Sequence, residues 1–346
     1  KTPGSSGNRK TWTLSLWFNK QNLGNQRILF CAFDDNNNRV IIRFMSDKLQ
    51  FALQTGGTFY GLQTNQVFRD NGWYHVVLVL DTTQGVDTNR QKIYVNGNQI
   101  SDADLTHNSI SGTNKYPTQN STFTVNNTDL HFIGANYESG SVQDTTWDGH
   151  ISNVYLIDGQ ALGPENFGYT DGLTGTWRPK KYDIEPPTVQ TIQPTYVNSS
   201  SVLDPTNAFD GSSGTEATYS GVGSWISFTV TDASNLSVPF EIRNDSSGTG
   251  QSVAMFTDSG GSSAVSGSWS STGNNTLSPA ISTTVNDTYT FPSTGTYYLR
   301  HTVGSNSNIF VYKIGGTVTT GGNSFYLPMD GNSPIGEDKS GNGNNW

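Results

Sequence analysis

Apolar and polar positions alternate with a period of two along many short stretches of residues 1–170. The alternation is clearest at 11–18, and 73–80 is a strongly apolar stretch of strand length. A period of two is typical of half-buried β-strands, because successive side chains point to opposite faces of a sheet. Further strands are predicted at 39–44, 48–53, 92–95, 99–100, 130–134 and 150–157, and one helical turn is predicted at 164–167.

A tight turn joins two of these predicted strands. Asn96 and Gly97 follow the predicted strand at 92–95, and such a pair supplies the positive φ angles that a two-residue hairpin turn needs. Many short strands separated by turn residues predict an antiparallel β-sandwich. Residues 1–170 are therefore expected to form one sandwich domain.

The middle of the chain, residues 189–318, predicts a second β-sandwich. Its composition shifts to Ser, Gly and Thr. Strands are predicted at 225–230, 238–242, 252–256, 288–291, 295–300 and 309–314. Pro186 and Pro187 precede this domain, and we interpret residues 171–188 as a stiff linker because proline restricts the backbone.

Composition and charge narrow the class of protein. Aromatic residues make up 12% of the chain, which favours a packed core over disorder. The net charge is -9 and the densest basic stretch is 178–181, so we expect neither nucleic acid nor an anionic membrane as a partner. No apolar stretch approaches the ~20 residues of a membrane span, so no membrane insertion is expected. Cys31 is the single cysteine, so no intrachain disulfide can form.

An ordered series of motifs in the first domain carries a family resemblance. The series is 11–18, Asn71-Gly72-Trp73-Tyr74-His75-Val76, Ile93-Tyr94-Val95-Asn96-Gly97, Phe132-Ile133-Gly134, Trp147-Asp148-Gly149-His150-Ile151-Ser152-Asn153-Val154-Tyr155 and Ala161-Leu162. It resembles the concanavalin A-like, laminin G-like jelly roll. The predicted fold class is all-β, a laminin G-like jelly-roll sandwich followed by a second β-sandwich. The family usually has an acidic residue where Ser152 or Asn153 stands, which argues against a transferred metal site.

The C-terminal segment shows a second resemblance. Residues 325–332 and 338–344 look like the opening strand and loop of the same family, where this piece precedes the segment that here begins at Lys1. The resemblance implies that the first jelly roll lacks its opening strand and that 319–346 opens a further module. Residues 325–330 are then expected to fill the vacant edge, in cis or from a neighbouring subunit. The connector 172–182 and this segment are similar to virion structural proteins of marine tailed phages.

The sequence contains few residue patterns that are typical of catalytic sites. No two of the six Glu residues lie a few positions apart on one strand, as they do in polysaccharide-cleaving enzymes that share the resembled fold. The five histidines form no cluster with ligand spacing, and no nucleophile elbow, phosphate-binding loop or zinc pattern is present. We therefore expect a protein that is not an enzyme.

Calcium is the candidate cofactor. Asp338, Ser340, Asn342 and Asn344 place oxygen-bearing side chains at alternate positions around Gly343. Such an oxygen-rich loop suits Ca²⁺, and the spacing of these residues matches the early part of an EF-hand loop. A polar turn without a metal is the favoured alternative.

Carbohydrate binding would need exposed aromatic side chains beside polar loops. Tyr60, Tyr137 and Trp147 lie near predicted loops of the first domain and are the candidates. Packing in the core is the favoured alternative for each of them, because most large aromatic side chains of a sandwich are buried.

The leading hypothesis is a non-enzymatic structural or adhesive protein of a phage virion, such as a fibre or surface appendage. Its expected partners are other copies of itself in a homo-oligomer, other virion proteins and host surface glycans. The alternative is a secreted, extracellular carbohydrate-binding module, as part of a polysaccharide-degrading enzyme. Fold alone does not decide between them.

Overall fold

The computed structural model describes residues 1–107, 114–138, 140–143, 145–231, 236–244, 251–303, 308–332 and 334–346, without the side chains of 188–190 and 318–320. The chain forms two compact units. The first comprises Lys1–Thr188 and Thr320–Trp346, and the second comprises Val189–Thr319.

Among the described residues, fifteen strands precede the second unit. They are β1 (Thr11–Lys20), β2 (Arg27–Asp35), β3 (Asn38–Met45), β4 (Lys48–Thr55), β5 (Thr58–Val67), β6 (Trp73–Asp81), β7 (Gln91–Val95), β8 (Asn98–Gln99), β9 (Leu105–His107), β10 (Leu130–Ile133), β11 (Tyr137–Glu138), β12 (Ser141–Val142), β13 (Gly149–Asp158), β14 (Gly168–Thr170) and β15 (Trp177–Pro179). Short 3₁₀ helices cover Asp87–Asn89, Asp102–Asp104 and Pro164–Asn166.

The remaining strands belong to the second unit and the C-terminal segment. They are β16 (Thr188–Ile192), β17 (Thr195–Ser200), β18 (Val202–Leu203), β19 (Ala217–Tyr219), β20 (Trp225–Val230), β21 (Ser237–Asn244), β22 (Ser252–Phe256), β23 (Ser268–Trp269), β24 (Thr276–Leu277), β25 (Thr284–Thr290), β26 (Gly295–Val303), β27 (Ile309–Ile314), β28 (Gly316–Thr320) and β29 (Phe325–Leu327). A 3₁₀ helix covers Pro205–Phe209.

Two six-stranded sheets form the sandwich of the first unit. Their strand orders are β29-β13-β1-β6-β7-β8 and β10-β2-β3-β4-β5-β9. The apolar positions of the predicted alternation, such as Trp12, Leu14 and Leu16 of β1, are fully buried between them. Asn96 and Gly97 adopt φ angles of 47° and 84° between β7 and β8, which confirms the predicted hairpin turn.

The connector after the first sandwich packs on it, which differs from the linker predicted at 171–188. Trp177 donates its Nε1–H to Nδ1 of His75 over 2.9 Å. A Cβ added at Gly97 or Gly168 would lie 2.6 or 2.4 Å from the Trp177 ring, so these glycines make room for it. Nε2 of His75 faces Oγ of Ser15 at 2.8 Å, and burial lowers the pKa of His75 to about 3. His75 is therefore a neutral packing residue that holds the connector.

The C-terminal segment completes the edge of the first sandwich in cis. Strand β29 pairs with β13 in antiparallel register, with Phe325 opposite Leu156 and Leu327 opposite Val154. Both Phe325 and Leu327 are buried in the same core as β1. Residues 320–346 therefore lie in the first unit, which differs from the further module expected at 319–346, because their apolar side chains fill the open sheet edge.

The position at which the family usually has an acid contacts this same segment. Oγ of Ser152 donates to the carbonyl of Pro328 over 3.0 Å, and the Asn153 N–H donates to the same carbonyl. The hydroxyl of Tyr326 donates to Oδ1 of Asn153 over 2.8 Å. These polar residues therefore hold the C-terminal strand.

A second sandwich forms the other unit. Its two larger sheets have the strand orders β17-β20-β26-β22-β24 and β18-β19-β27-β21-β25-β23, while β16 pairs with β28. A separate core lies between them and includes Phe228, Phe240, Trp269 and Tyr289. Among the described residues, no helix is long and apolar enough to cross a membrane.

Candidate functional site

The aromatic residues selected from the sequence pack into the first unit at separate places. Tyr60 is only 8% exposed and belongs to the core. Trp147 packs edge-on against Phe18, with ring centroids 5.7 Å apart. Tyr137 stacks on Phe132 with centroids 5.4 Å apart. Each ring has a different set of neighbours, and burial removes the Tyr60 ring from solvent, so the structure does not join the three into one sugar-binding surface.

The structure brings the four candidate calcium ligands into one loop. Oδ1 of Asp338 accepts hydrogen bonds from the N–H groups of Tyr326 and Ser340, each over 2.9 Å. Oδ2 accepts from the Ser340 hydroxyl over 2.9 Å and from the Asn344 N–H over 2.8 Å. The Asn342 and Asn344 side-chain amides donate to the carbonyl of Ser324. Hydrogen bonds within the protein thus engage these groups and tie the loop to β29.

Within the described ranges, no group of three or more His, Cys, Asp or Glu side chains is arranged to hold a metal ion. Cys31 is fully buried, and burial raises its thiol pKa to about 11, so it is a packing residue without thiolate character.

A polar groove lies on the outer side of β6 and β7 in the first unit. Its lining consists of Val79, Asp81, Gln84, Asn89, Lys92, Tyr94, Ala161, Leu162 and Gly163. Oδ2 of Asp81 already accepts a hydrogen bond from the Gln84 amide over 2.6 Å, and Oδ1 accepts from the Thr83 hydroxyl over 2.6 Å. Tyr94 is the single aromatic lining residue. The groove thus offers few free polar groups for a ligand.

A more promising surface lies on the second unit, across the adjacent strands β20, β26 and β22. Along β20, Ile226, Phe228 and Val230 are buried in the core, so Trp225, which directly precedes Ile226, points to the outer face. The same alternation places Tyr298 on the outer face of β26, between buried Tyr297 and Leu299. On β22, Phe256 follows buried Met255 and therefore also points to the outer face.

Strand register brings these outward side chains together. Phe256 lies opposite Tyr298 on the neighbouring strand, and Trp225 lies opposite Arg300. The Trp225 and Tyr298 rings meet edge to face, with centroids 5.2 Å apart. All four side chains are partly exposed. We call Trp225, Phe256, Tyr298 and Arg300 the aromatic face.

Sequence reasoning missed this surface, although a usable signal was present. Residues 225–230, 252–256 and 295–300 were all predicted as strands. Trp225 and Tyr298 occupy the positions of these alternating strands where a polar residue is expected, and several such aromatic residues grouped into one patch indicate contact with another molecule. Which strands are neighbours is a tertiary property, so the grouping itself could not be predicted.

The first unit also matches a known family. Residues 1–166 match the family model of the concanavalin A-like lectin/glucanases superfamily. With the sheet order above, this match supports a laminin G-like jelly-roll fold for the first unit. The fold is thus all-β, with a second β-sandwich after the jelly roll. No curated protein matches the chain.

Several solved structures are similar to parts of this chain. A pentraxin from Limulus polyphemus shares 18% identity over 46% of this chain and 69% of its own, with a TM-score of 0.33. Domain 4 of an extracellular arabinanase from Geobacillus stearothermophilus, solved with arabinotriose, shares 18% identity over 46% of this chain and 65% of its own, with a TM-score of 0.33. A laminin G domain pair of the mouse laminin alpha1 chain shares 11% identity over 94% of this chain and 84% of its own, with a TM-score of 0.32.

Proposed function

We propose that this protein is a non-enzymatic adhesive protein that binds glycans through the aromatic face of its second unit. The observation that carries the proposal is the cluster of Trp225, Tyr298 and Phe256 on three adjacent strands of one outer sheet face. Aromatic rings present flat apolar surfaces on which the C–H faces of sugar rings can stack, while Tyr and Trp keep a polar atom for hydrogen bonding. A pleated sheet holds such rings rigidly, so little conformational entropy is lost on binding.

We further propose that the protein is part of a phage virion, as a fibre or surface appendage. The support is the similarity of 172–182 and of the C-terminal segment to virion structural proteins of marine tailed phages. The structure shows both segments packed on the jelly roll, through Trp177 and through β29. In this role the protein assembles with other copies of itself and with other virion proteins.

The glycan proposal is tested with the full chain on a glycan array, followed by titration of the glycans that bind. Replacing a central aromatic contact costs about 2 kcal/mol or more, so Trp225→Ala should weaken binding by about thirty-fold or more. Tyr312→Ala is the matched control, because Tyr312 is a partly exposed aromatic residue on the other large sheet of the same unit. Equal affinities of wild type and Trp225→Ala would overturn the proposal.

The virion proposal and the absence of catalysis need separate measurements. Immunogold electron microscopy with antibody against residues 1–170 should label virions from the source. Label on cell surfaces or secreted material, with bare virions, would favour the secreted carbohydrate-binding module. Incubation with a bound glycan should release no new reducing ends, and their release would contradict a non-enzymatic role.

A further inference from the structure

Arg300 is held in a defined place beside the aromatic rings. Its Nη1 donates a hydrogen bond to the carbonyl of Ser259. A Cβ at Gly261, where φ is +73°, would lie 2.9 Å from Cδ and Nε of Arg300. Gly223, with φ of +94°, lies at the other end, where a Cβ would come within 3.5 Å of Nη2. Two glycine turns therefore lie beside the Arg300 side chain and leave room for it.

Among the residues that the structure describes, the charge of Arg300 has no partner in an ion pair. Among the described residues, no carboxylate forms an ion pair with it, and the bond to Ser259 is its one hydrogen bond. In a chain with a net charge of -9, this guanidinium forms no ion pair with a described carboxylate and lies beside the partly exposed Trp225. Because a guanidinium carries five N–H donors in a planar fork, most of its donors remain for a ligand.

We infer that the glycan bound at the aromatic face contains a uronic acid, whose carboxylate pairs with Arg300 while its ring stacks on Trp225 or Tyr298. This inference rests on the proposed function and names its ligand class. Trp225 and Arg300 are cross-strand neighbours, so their Cβ atoms lie about 5 Å apart and both can contact one sugar residue.

The chemistry of the guanidinium favours a carboxylate. Its two parallel N–H groups match the two oxygens of a carboxylate in a bidentate pair, which lysine cannot form. A neutral sugar hydroxyl would use one of these donors and leave the charge unpaired. Arg300 thus discriminates between acidic and neutral sugars on the same aromatic platform.

The test is calorimetric titration of the full chain with defined oligosaccharides. The probes are oligogalacturonate, oligomannuronate and unsulfated heparosan, each compared with its carboxyl-reduced counterpart. At least one acidic probe should bind at least ten-fold more tightly than its reduced form. Arg300→Gln should remove this preference, so that the acidic probe binds about as tightly as its reduced form, and Arg300→Lys should restore the preference only in part.

Lys313→Gln is the matched control, because it makes the same change in net charge on the other large sheet of the second unit. It should bind like wild type. Unchanged thermal unfolding of each variant excludes misfolding as the cause of a loss.

The failures of the two proposals are distinguishable. If acidic and reduced forms bind equally and Trp225→Ala abolishes both, the glycan site stands and the uronate inference is wrong. Arg300-dependent binding of sulfated dextran without binding of any uronate would also overturn it. If no glycan binds at all, the proposed function itself fails, and the uronate inference with it.

Discussion

At the scale of single residues, Lys20 and Asp47 form a buried ion pair at the turn between β3 and β4 of the first unit. Asp47 has a φ of 63° in the tight turn between β3 and β4. Both side chains are nearly inaccessible, at 1% and 4% exposure. Although burial by itself raises the pKa of Asp47, hydrogen bonds from Lys20, the Gly24 N–H and Arg69 hold it at about 2.

This pair predicts a loss of stability in acid. An unfolded aspartate has a pKa of about 3.9, so the folded carboxylate binds its proton less tightly than the unfolded one. The contribution of Asp47 is complete above pH about 4 and is lost as the pH falls towards about 2. Asp47→Asn also leaves Lys20 buried without a counter-charge, so we expect a cost of about 3–5 kcal/mol at pH 7.

The measurement is urea unfolding at pH 7, with hydrogen exchange of β1 and β6 to assign the transition of the first unit. Asp183→Asn is the control, because the Lys181–Asp183 pair is largely exposed and should contribute at most about 1 kcal/mol. Equal stabilities of the two variants would contradict the prediction.

At the scale of elements, strand β29 determines whether the jelly roll has a closed core. Leu327 is fully buried opposite Val154, and the Tyr326 ring stacks on Tyr155 with centroids 4.2 Å apart. Without this strand, β1 and β13 would present apolar side chains and β13 would be an unpaired edge.

Leu327→Ala should therefore destabilise the first unit by about 2–5 kcal/mol, as expected for a large-to-small change in a core. Ile335→Ala is the matched control in the same segment, because Ile335 is 87% exposed. Deleting residues 324–346 should lower the melting temperature further or change the oligomer size. Unchanged melting and unchanged size after the deletion would show that β29 is dispensable.

At the scale of the whole molecule, Asp158 joins segments that are far apart in the chain. Oδ1 accepts hydrogen bonds from the Asn8 N–H over 2.7 Å and the Asn126 amide over 3.0 Å. Oδ2 accepts a hydrogen bond from the Asn323 N–H over 3.3 Å, and the whole of the second unit lies between these two residues in the sequence. Burial raises the pKa of Asp158 to about 6, against the lowering effect of these backbone N–H groups.

The raised pKa predicts a pH dependence opposite to that of Asp47. Between pH about 4 and about 6 the folded state binds this proton more tightly, so the contribution of Asp158 to stability falls as the pH rises. Burial lowers the pKa of His75 and His131, so the contribution of these two residues to stability rises as the pH rises. The stability difference between wild type and Asp158→Asn isolates the effect and should change by about 2 kcal/mol from pH 4 to pH 7. A stability difference between the two proteins that stays constant from pH 4 to pH 7 would contradict this prediction.

The local pattern predicted most of the strands that build the two sandwiches. Residues 225–230 and 252–256 form strands with the predicted bounds, and 295–300 lies within β26. The strand at Arg27–Asp35 was not predicted, and its continuous apolar run 28–33 has no period of two. Alternation identifies a strand buried on one face and is silent about a strand buried on both.

The candidate sites were less predictable than the strands. Tyr60 and Trp147 were selected for their position near loops, but burial depends on what packs over a loop. The oxygen-rich loop at 338–344 was compatible with a metal, and the structure shows its donors and acceptors bonded to β29 and to one another. Local spacing does not reveal which lone pairs the rest of the fold engages.

The sequence by itself determined the all-β class, the two sandwiches and the hairpin at Asn96 and Gly97, because alternation and positive φ are local properties of the backbone. The tertiary structure decided which sheet edge β29 closes, which segments Asp158 joins and which rings share the aromatic face. These depend on strand order and register between residues distant in the chain, which no local pattern encodes.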